Sequence, residues 1–274
     1  MPLLQLPSST IHYLDCGQGR PLLLLSANPG ESRDFAAVLP ELAAHFRVLA
    51  LDWPGYGESP LPDDPARWSA GRFYGLLREF IDALQLPAVL LVGNSVGGNA
   101  AARLAIEAPE RVLGVVLIAP GGFTPHNLFT RGFCRLMGSR LALPPRWWAS
   151  LYLRLRTPTV RSMLERAAGP QAEPGRLALN RALWRSFGAP DNDLRELAGG
   201  LRAPALLLFG RRDPAIPAHR DGQVAARCLP QARFVALDCG HACQAELPEA
   251  FLAETLPFLQ RCAATVPAGS GPAR

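Results

Sequence analysis

The chain has 274 residues, 49% of them hydrophobic and 19% charged, enough for one full-sized core or for a core that carries an insertion. No apolar run approaches the roughly 20 residues of a membrane-spanning helix, and the start MPLLQLPSSTIHYLD lacks the basic first segment and long apolar centre of a secretory signal. All 28 basic residues are arginine and the net charge is +5; beside so much Ala, Leu, Pro and Gly this reads as compositional bias, so the charge is no argument for a nucleic-acid partner.

In chain order, short strands are expected at Leu3–Leu6 and Thr10–Asp15, then a glycine turn, then a buried strand over Leu22–Leu25. The loop SANPGES follows, and helical apolar spacing runs from Phe35 to His45. Phe46–Leu51 reads as another buried strand ending in DWPGYGES, Ser69–Leu84 as a helix with Leu76, Leu77, Phe80, Ile81 and Leu84 on one side, and Val89–Val92 as a strand. A helix over Asn99–Glu107 and a strand over Val112–Ala119 complete the first half. From Phe123 to about Leu201 the rhythm changes to aromatic-rich helical segments without a strand. The strand pattern resumes at Ala205–Phe209, a helix is expected near Gln223–Cys228, a last strand at Arg233–Leu237 and a closing helix at Pro248–Gln260. Continuous apolar strands alternating with helices imply an α/β fold: a mostly parallel sheet covered on both faces. The expected division is a core of residues 1–122 and 202–262, a helical insertion of residues 123–201 and a disordered tail of residues 263–274. An insertion of that length is expected on the strand-end face that holds ligands in open α/β sheets.

One turn stands out. After the apolar run Val89–Val92 comes Gly93-Asn94-Ser95-Val96-Gly97-Gly98. Glycines two positions before and after one serine suggest a turn too crowded for side chains. Such a turn lifts a hydroxyl beside the unpaired N–H groups of a helix start, which suits attack on a carbonyl and capture of the oxyanion. A phosphate-cradling turn is the competing reading. A serine nucleophile needs a base, and of five histidines His241 follows the last strand in CGHA, on the edge where Ser95 should emerge. Asp213 follows the preceding strand on the same edge, and the order Ser95, Asp213, His241 is that of nucleophile, acid and base for such a turn. Asp238 is the rival acid.

These pieces together resemble the α/β-hydrolase fold superfamily over residues 9–260. The resemblance rests on YLDCGQGRPLLLL, LALDWPGYGES, VGNSVGG, FGRRDPAIP and GHACQAELPEAF, in family order and spacing. In style the chain is similar to capped bacterial esterases, cofactor-free haloperoxidases and C–C hydrolases. The resemblance implies a helical cap and an oxyanion hole formed by the backbone N–H groups of Asn28 and Val96. The chain departs from the family at Ser26-Ala27, where relatives carry His-Gly; the Asn28 side chain then either adds a donor or caps the loop. Dehalogenase relatives use an aspartate nucleophile, which Ser95 replaces; epoxide hydrolysis is disfavoured on the same ground.

The expected activity is therefore cleavage of an ester or thioester of a small-to-medium apolar or aromatic substrate through an acyl-enzyme, without cofactor or metal. The alternatives are C–C bond hydrolysis or perhydrolysis with the same triad, or a ligand-binding protein with little turnover, which a missing triad member would indicate. Substrate contacts are expected from Trp53, Phe123, Phe129, Phe133, Trp147 and Trp148, with packing inside the helical segment as the competing reading for the Trp147-Trp148 pair. Cys239 and Cys243 flank His241, but a metal there would occupy the base that Ser95 requires. Asn94 reads as a satisfied turn residue. The partner is a small molecule; no nucleic acid and no stable membrane insertion are expected. The six cysteines follow no framework spacing, so reduced thiols in a cytoplasmic protein are expected. Residues 121–202 hold 13 arginines against 5 acids. These arginines are either solvated helix faces whose stems cover apolar surface, or a basic rim that attracts anionic substrates.

Overall fold

The computed structural model describes residues 3–265. Eight strands form one sheet: β1 (Leu3–Gln5), β2 (Thr10–Cys16), β3 (Pro21–Leu25), β4 (Arg47–Leu51), β5 (Val89–Asn94), β6 (Val112–Ile118), β7 (Ala205–Gly210) and β8 (Arg233–Leu237). Their spatial order is β1-β2-β4-β3-β5-β6-β7-β8. β1 and β2 pair antiparallel, β2 runs antiparallel to β4, and every later pairing is parallel. β3, β5, β6 and β7 are buried along their whole length, as strands covered on both faces must be.

The period-2 alternation of each strand divides the interior into two cores. Leu23, Leu25, Leu49, Leu91, Val115, Leu117 and Leu207 face one side, against α2 (Ala70–Ala83) and α3 (Val96–Glu107). Leu22, Leu24, Val48, Leu90, Val92 and Leu206 face the other, against Phe35, Leu42 and the closing helix of Pro248–Ala264. Ser69 caps α2 by accepting from Arg72 N at 3.2 Å, and the α2 stripe Phe73, Leu76, Leu77, Phe80, Ile81 is buried.

The expected helix over Phe35–His45 is broken in two: a single 3-10 turn at Ser32–Phe35, then the short α1 (Leu39–Ala43). Pro40 lies in the first turn of α1, where its missing N–H is harmless; any earlier start would place it inside the helix. α3 begins at Val96, three residues before its expected start, directly on the glycine turn.

Between β6 and β7 lie α4 (Leu128–Met137), α5 (Pro145–Tyr152), α6 (Pro158–Ala168) and α7 (Pro174–Phe187), with no strand among the described residues. α8 (Gln223–Cys228) follows β7, α9 (Cys243–Glu246) follows the last strand, and α10 (Pro248–Ala264) closes the chain. Sequence periodicity missed α9 because one turn is too short to show a period. α10 continues through Ala264, so the first two residues of the expected tail, 263 and 264, are helical; residues 266–274 lie outside the described residues.

Arg166 ties the inserted helices to the sheet. From α6 its Nη2 donates to Asp34 Oδ1 at 2.5 Å, its Nη1 donates to Ser162 Oγ at 2.6 Å, and its Nε lies 3.3 Å from Glu31 Oε1. All three charged groups are buried. Removing the cation from such a cluster leaves the buried Asp34 without its counter-charge, while Glu31 keeps its pair with Arg33. Arg166→Met is therefore expected to lower the unfolding free energy by about 3 kcal/mol in urea titration, and a loss below about 1 kcal/mol, the range of exposed pairs, would show that this contact does not hold α6 in place.

Candidate active site

β3 and β5 pair at the centre of the sheet, and the chain passes from β3 to β4 on one side and from β5 to β6 on the other. Crevices of open α/β sheets form at such reversals. Ser95 sits there, between the end of β5 and the start of α3, with φ 56° and ψ −110°. A non-glycine residue held in that region stores on the order of 1–3 kcal/mol. The flanking glycines explain how the turn closes. A Cβ on Gly93 would stand 2.4 Å from Gly97 O, and one on Gly97 would stand 2.3 Å from Leu25 O. The turn is pinned by Ser95 N donating to Ile118 O and by Gly121 N donating to Ser95 O, each at 2.9 Å. Val96 is the first residue of α3, so its N–H has no carbonyl within the helix to bond.

His241 and Asp213 come to the same place from β8 and β7. Asp213 Oδ2 lies 2.6 Å from His241 Nδ1, while its Oδ1 accepts from the backbone N–H of Ala215 at 2.8 Å and of Ile216 at 3.2 Å. Burial alone would push the Asp213 carboxyl up, but the His241 charge, its hydrogen bond and the two amides outweigh burial and hold it below the usual carboxylate range. For His241, burial opposes the charged ring, yet the Asp213 carboxylate outweighs it and holds the imidazole above its ordinary pKa. Asp238 is exposed and paired with Arg212, away from His241.

The backbone around His241 is tethered on every side. His241 N donates to Tyr152 O at 2.8 Å, and Asn94 Nδ2 donates to His241 O at 3.1 Å. Buried Glu246 accepts from Gly240 N at 3.0 Å and Ala242 N at 3.3 Å, and also from Arg154 N at 2.8 Å and Leu155 N at 2.9 Å. One carboxylate thus joins the histidine loop to the chain leaving α5. Asn94 is satisfied, as its sequence reading expects, through Ile118 O, His241 O and Gln244. Sequence reasoning missed Glu246, which reads there as an ordinary acid on a short segment; its spacing to Gly240 and Ala242 offers no signal without the turn of α9.

Ser95 and His241 line one cavity of about 240 Å³, together with Asn28, Asn94 and Ala242. The helical segment supplies the opposite wall through Phe129, Phe133, Trp148, Tyr152, Trp184 and Phe187. Trp184 meets Phe133 edge-on at 5.6 Å, and Tyr152 meets the His241 ring edge-on at 5.9 Å. Three expected contacts are not there. Trp53 is fully buried, stacked on Phe73 at 4.5 Å, with its Nε1 donating to Ser26 O at 3.0 Å, so it buttresses the β3 loop from behind. Phe123 is fully buried in the core. Trp147 is 63% exposed and turns outward under the Arg146 guanidinium, because α5 presents its neighbour Trp148 to the cavity. Tyr152, Trp184 and Phe187 take their place; their helical spacing was visible, but not which face would meet the sheet.

Asn28 lines the cavity, and its Oδ1 accepts from Tyr56 Oη at 2.6 Å, which anchors the side chain as a loop brace. Ser26, in the position of the expected family histidine, is fully buried with no partner for its hydroxyl among the described residues. Asp34 also lines the cavity; burial pushes its carboxyl up to about 7 against the pull of Arg166. Cys239 Sγ and Cys243 Sγ lie 3.3 Å apart and buried, and among the described residues no cluster of three or more His, Cys, Asp or Glu is placed to hold a metal.

A family model described as alpha/beta hydrolase fold matches residues 20–170. The dihydrolipoyllysine-residue acetyltransferase component of the acetoin cleaving system of Pseudomonas putida is 31% identical over 89% of this chain, which spans 64% of that protein's length. The 2-hydroxy-6-oxo-6-phenylhexa-2,4-dienoate hydrolase of Burkholderia cepacia is 29% identical, with 91% of each chain covered. In structure, the enol-lactonase of Burkholderia xenovorans superposes with a TM-score of 0.79 at 21% identity, over 94% of this chain and 100% of the other. With its sheet order, its glycine-fenced Ser95 turn and a family match over more than half its length, the chain belongs to the α/β-hydrolase fold family.

Proposed function

We propose that this protein is a serine hydrolase that cleaves esters or thioesters of apolar acyl or aromatic substrates, with Ser95 as nucleophile, His241 as base and Asp213 as orienting acid. The observation that carries the reading is the 2.6 Å contact of Asp213 with His241, which lines the same cavity as Ser95. His241 Nε2 takes the Ser95 Oγ proton as Oγ attacks the substrate carbonyl carbon. The carbonyl electrons move to oxygen, where the Asn28 and Val96 N–H groups hold the oxyanion. Collapse expels the alcohol or thiol, which takes the proton from His241. Water then attacks the acyl-enzyme, gives its proton to His241, and Ser95 leaves as the hydroxyl. Asp213 stays ionised throughout and holds the Nδ1–H tautomer. Asn28 contributes its backbone N–H, and its side chain is held by Tyr56 Oη donating to Oδ1.

In this reading, residues 123–201 form a cap over a core of residues 1–122 and 202–262, and α4, α5 and α7 close the apolar side of the cavity. The aromatic wall favours an uncharged acyl or aryl group. The one arginine lining the cavity among the described residues, Arg220, is paired with buried Asp221. The six free cysteines suit a reducing cytoplasm. C–C bond hydrolysis is the second reading, favoured by the Burkholderia cepacia relative; it uses the same triad, and parallel assay of aryl esters and a 2-hydroxy-6-oxo-dienoate separates the two.

A fluorophosphonate probe is expected to label Ser95, and Ser95→Ala to abolish labelling; mass spectrometry that places the adduct on another residue would refute the nucleophile. Asp213→Asn is expected to lower kcat by about 10³–10⁴, and Asp238→Asn by less than about twofold, since Asp238 lies on an exposed pair. Equal losses in the two variants would show that His241 takes its orientation elsewhere. The third expectation concerns pH. Only the neutral imidazole is a base, so kcat/KM is low below the His241 pKa and rises through it. Asp213 raises that pKa, so the limb should lie above the ordinary histidine value and shift to lower pH in Asp213→Asn. An unshifted limb in the variant would contradict the assignment.

A further inference from the structure

The stretch from Gly121 to Leu164 contains seven arginines, Arg131, Arg135, Arg140, Arg146, Arg154, Arg156 and Arg161, and neither Asp nor Glu. All seven are exposed. The ion pairs of the inserted helices lie further on, at Arg166, Arg176 and Arg195, and none of the seven is paired with an acid among the described residues. The same stretch carries seven of the ten large hydrophobic side chains exposed among the described residues: Leu128, Phe129, Leu136, Leu141, Leu143, Trp147 and Leu151. Single exposed apolar residues are ordinary, but such a concentration marks an interaction surface.

Helix geometry puts charge and apolar groups on the same outward face. On α4 the exposed positions are 128, 129, 131, 132, 135 and 136, which repeat at one turn and two turns along one side; Phe129, at the edge of that side, also reaches the cavity wall. On α5 they include Arg146, Trp147 and Leu151, with Trp147 and Leu151 one turn apart. The inner face of the same two helices, through Phe133, Trp148 and Tyr152, lines the cavity. A second copy of this chain is a poor occupant, because a symmetric contact would bring uncompensated arginines together. An anionic bilayer surface satisfies both features at once. Guanidinium groups meet lipid phosphates at headgroup depth, while Leu and Trp side chains reach the acyl boundary and the arginine stems cover the space between. No described helix is long and apolar enough to cross a membrane, so the contact is a peripheral one.

We propose that the outer face of α4, α5 and their connecting loop docks on anionic lipid surfaces, with the cavity directly behind the docking face. The docking does not depend on the assignment of the triad. The test is flotation of the full chain with vesicles of equal parts phosphatidylglycerol and phosphatidylcholine, against vesicles of phosphatidylcholine alone, at low and high salt. The expected result is binding to the mixed vesicles, loss of that binding at high salt, and a blue shift of tryptophan emission that Trp147→Ser removes. Arg131→Glu with Arg135→Glu is expected to lower partitioning at least about tenfold. Gly132→Glu, at a position where a Cβ meets nothing within 4 Å, should lower it about fivefold. Both variants should keep the wild-type Tm, which separates lost docking from lost fold. Absence of binding, equal binding to both vesicle types, or variants that bind as the wild type does would overturn the proposal. So would concentration-dependent self-association in sedimentation velocity that the same variants abolish, since the occupant would then be a second copy.

Discussion

The backbone crossing behind Ser95 is the constraint around which the rest is arranged. Gly93, Gly97 and the carbonyl of Leu25 approach within distances that leave no room for a Cβ on either glycine. That approach lets α3 start directly on the end of β5 and forces Ser95 to a positive φ. The strain is borne by the surrounding sheet, whose central strands are buried along their length and paired on both sides. A loosely held sheet would relax the turn. A rigid one keeps the hydroxyl beside the first N–H groups of α3.

A second constraint acts on the histidine loop. Asn94, adjacent to Ser95, donates to the His241 carbonyl, so the two segments share a hydrogen-bonded joint and not merely a cavity. Glu246 gathers four backbone N–H groups from two segments, and Tyr152 O receives the His241 amide. A buried carboxylate is costly unless its oxygens are all engaged. Here they are engaged by amides that must be held still for His241 to face Asp213. The same contacts fix where the chain leaves α5, so the position of the aromatic wall and the position of the histidine are set together.

The inserted helices thus carry two different surfaces. Inward, they present aromatic rings to the sheet edge, and Arg166 secures them by a buried ion cluster. Outward, α4 and α5 present arginines with no acids among them. Of the two sequence readings of the arginine excess, the basic rim at the cavity is the weaker, because among the described residues only Arg220 lines it. Arg131 and Arg135 are exposed one turn apart, and Arg185 donates to the Gly138 and Ala66 carbonyls.

The order and type of nearly every element were legible in the chain itself, because buried parallel strands and amphipathic helices write their burial into a local period. So was the serine turn, since its glycines record a local steric demand. The chain order Ser95, Asp213, His241 favoured Asp213 and left Asp238, which ends a strand on the same edge, as a rival; the structure places Asp213 against His241 and holds Asp238 outside on Arg212. What the sequence could not determine is which faces meet. Trp53, Phe123 and Trp147 are as aromatic as Tyr152, Trp184 and Phe187, yet two of the first three are core and one is outside, whereas the second three line the cavity. Periodicity says that a helix has an apolar side, and aromatic content says that the side is large. The rotation of each helix against the sheet is set by long-range contacts such as Arg166 to Asp34 and Glu246 to the α5 exit, whose partners stand 132 and about 90 residues apart in the chain. Contacts of that span leave no local pattern, so the cavity wall was decided only by the tertiary structure.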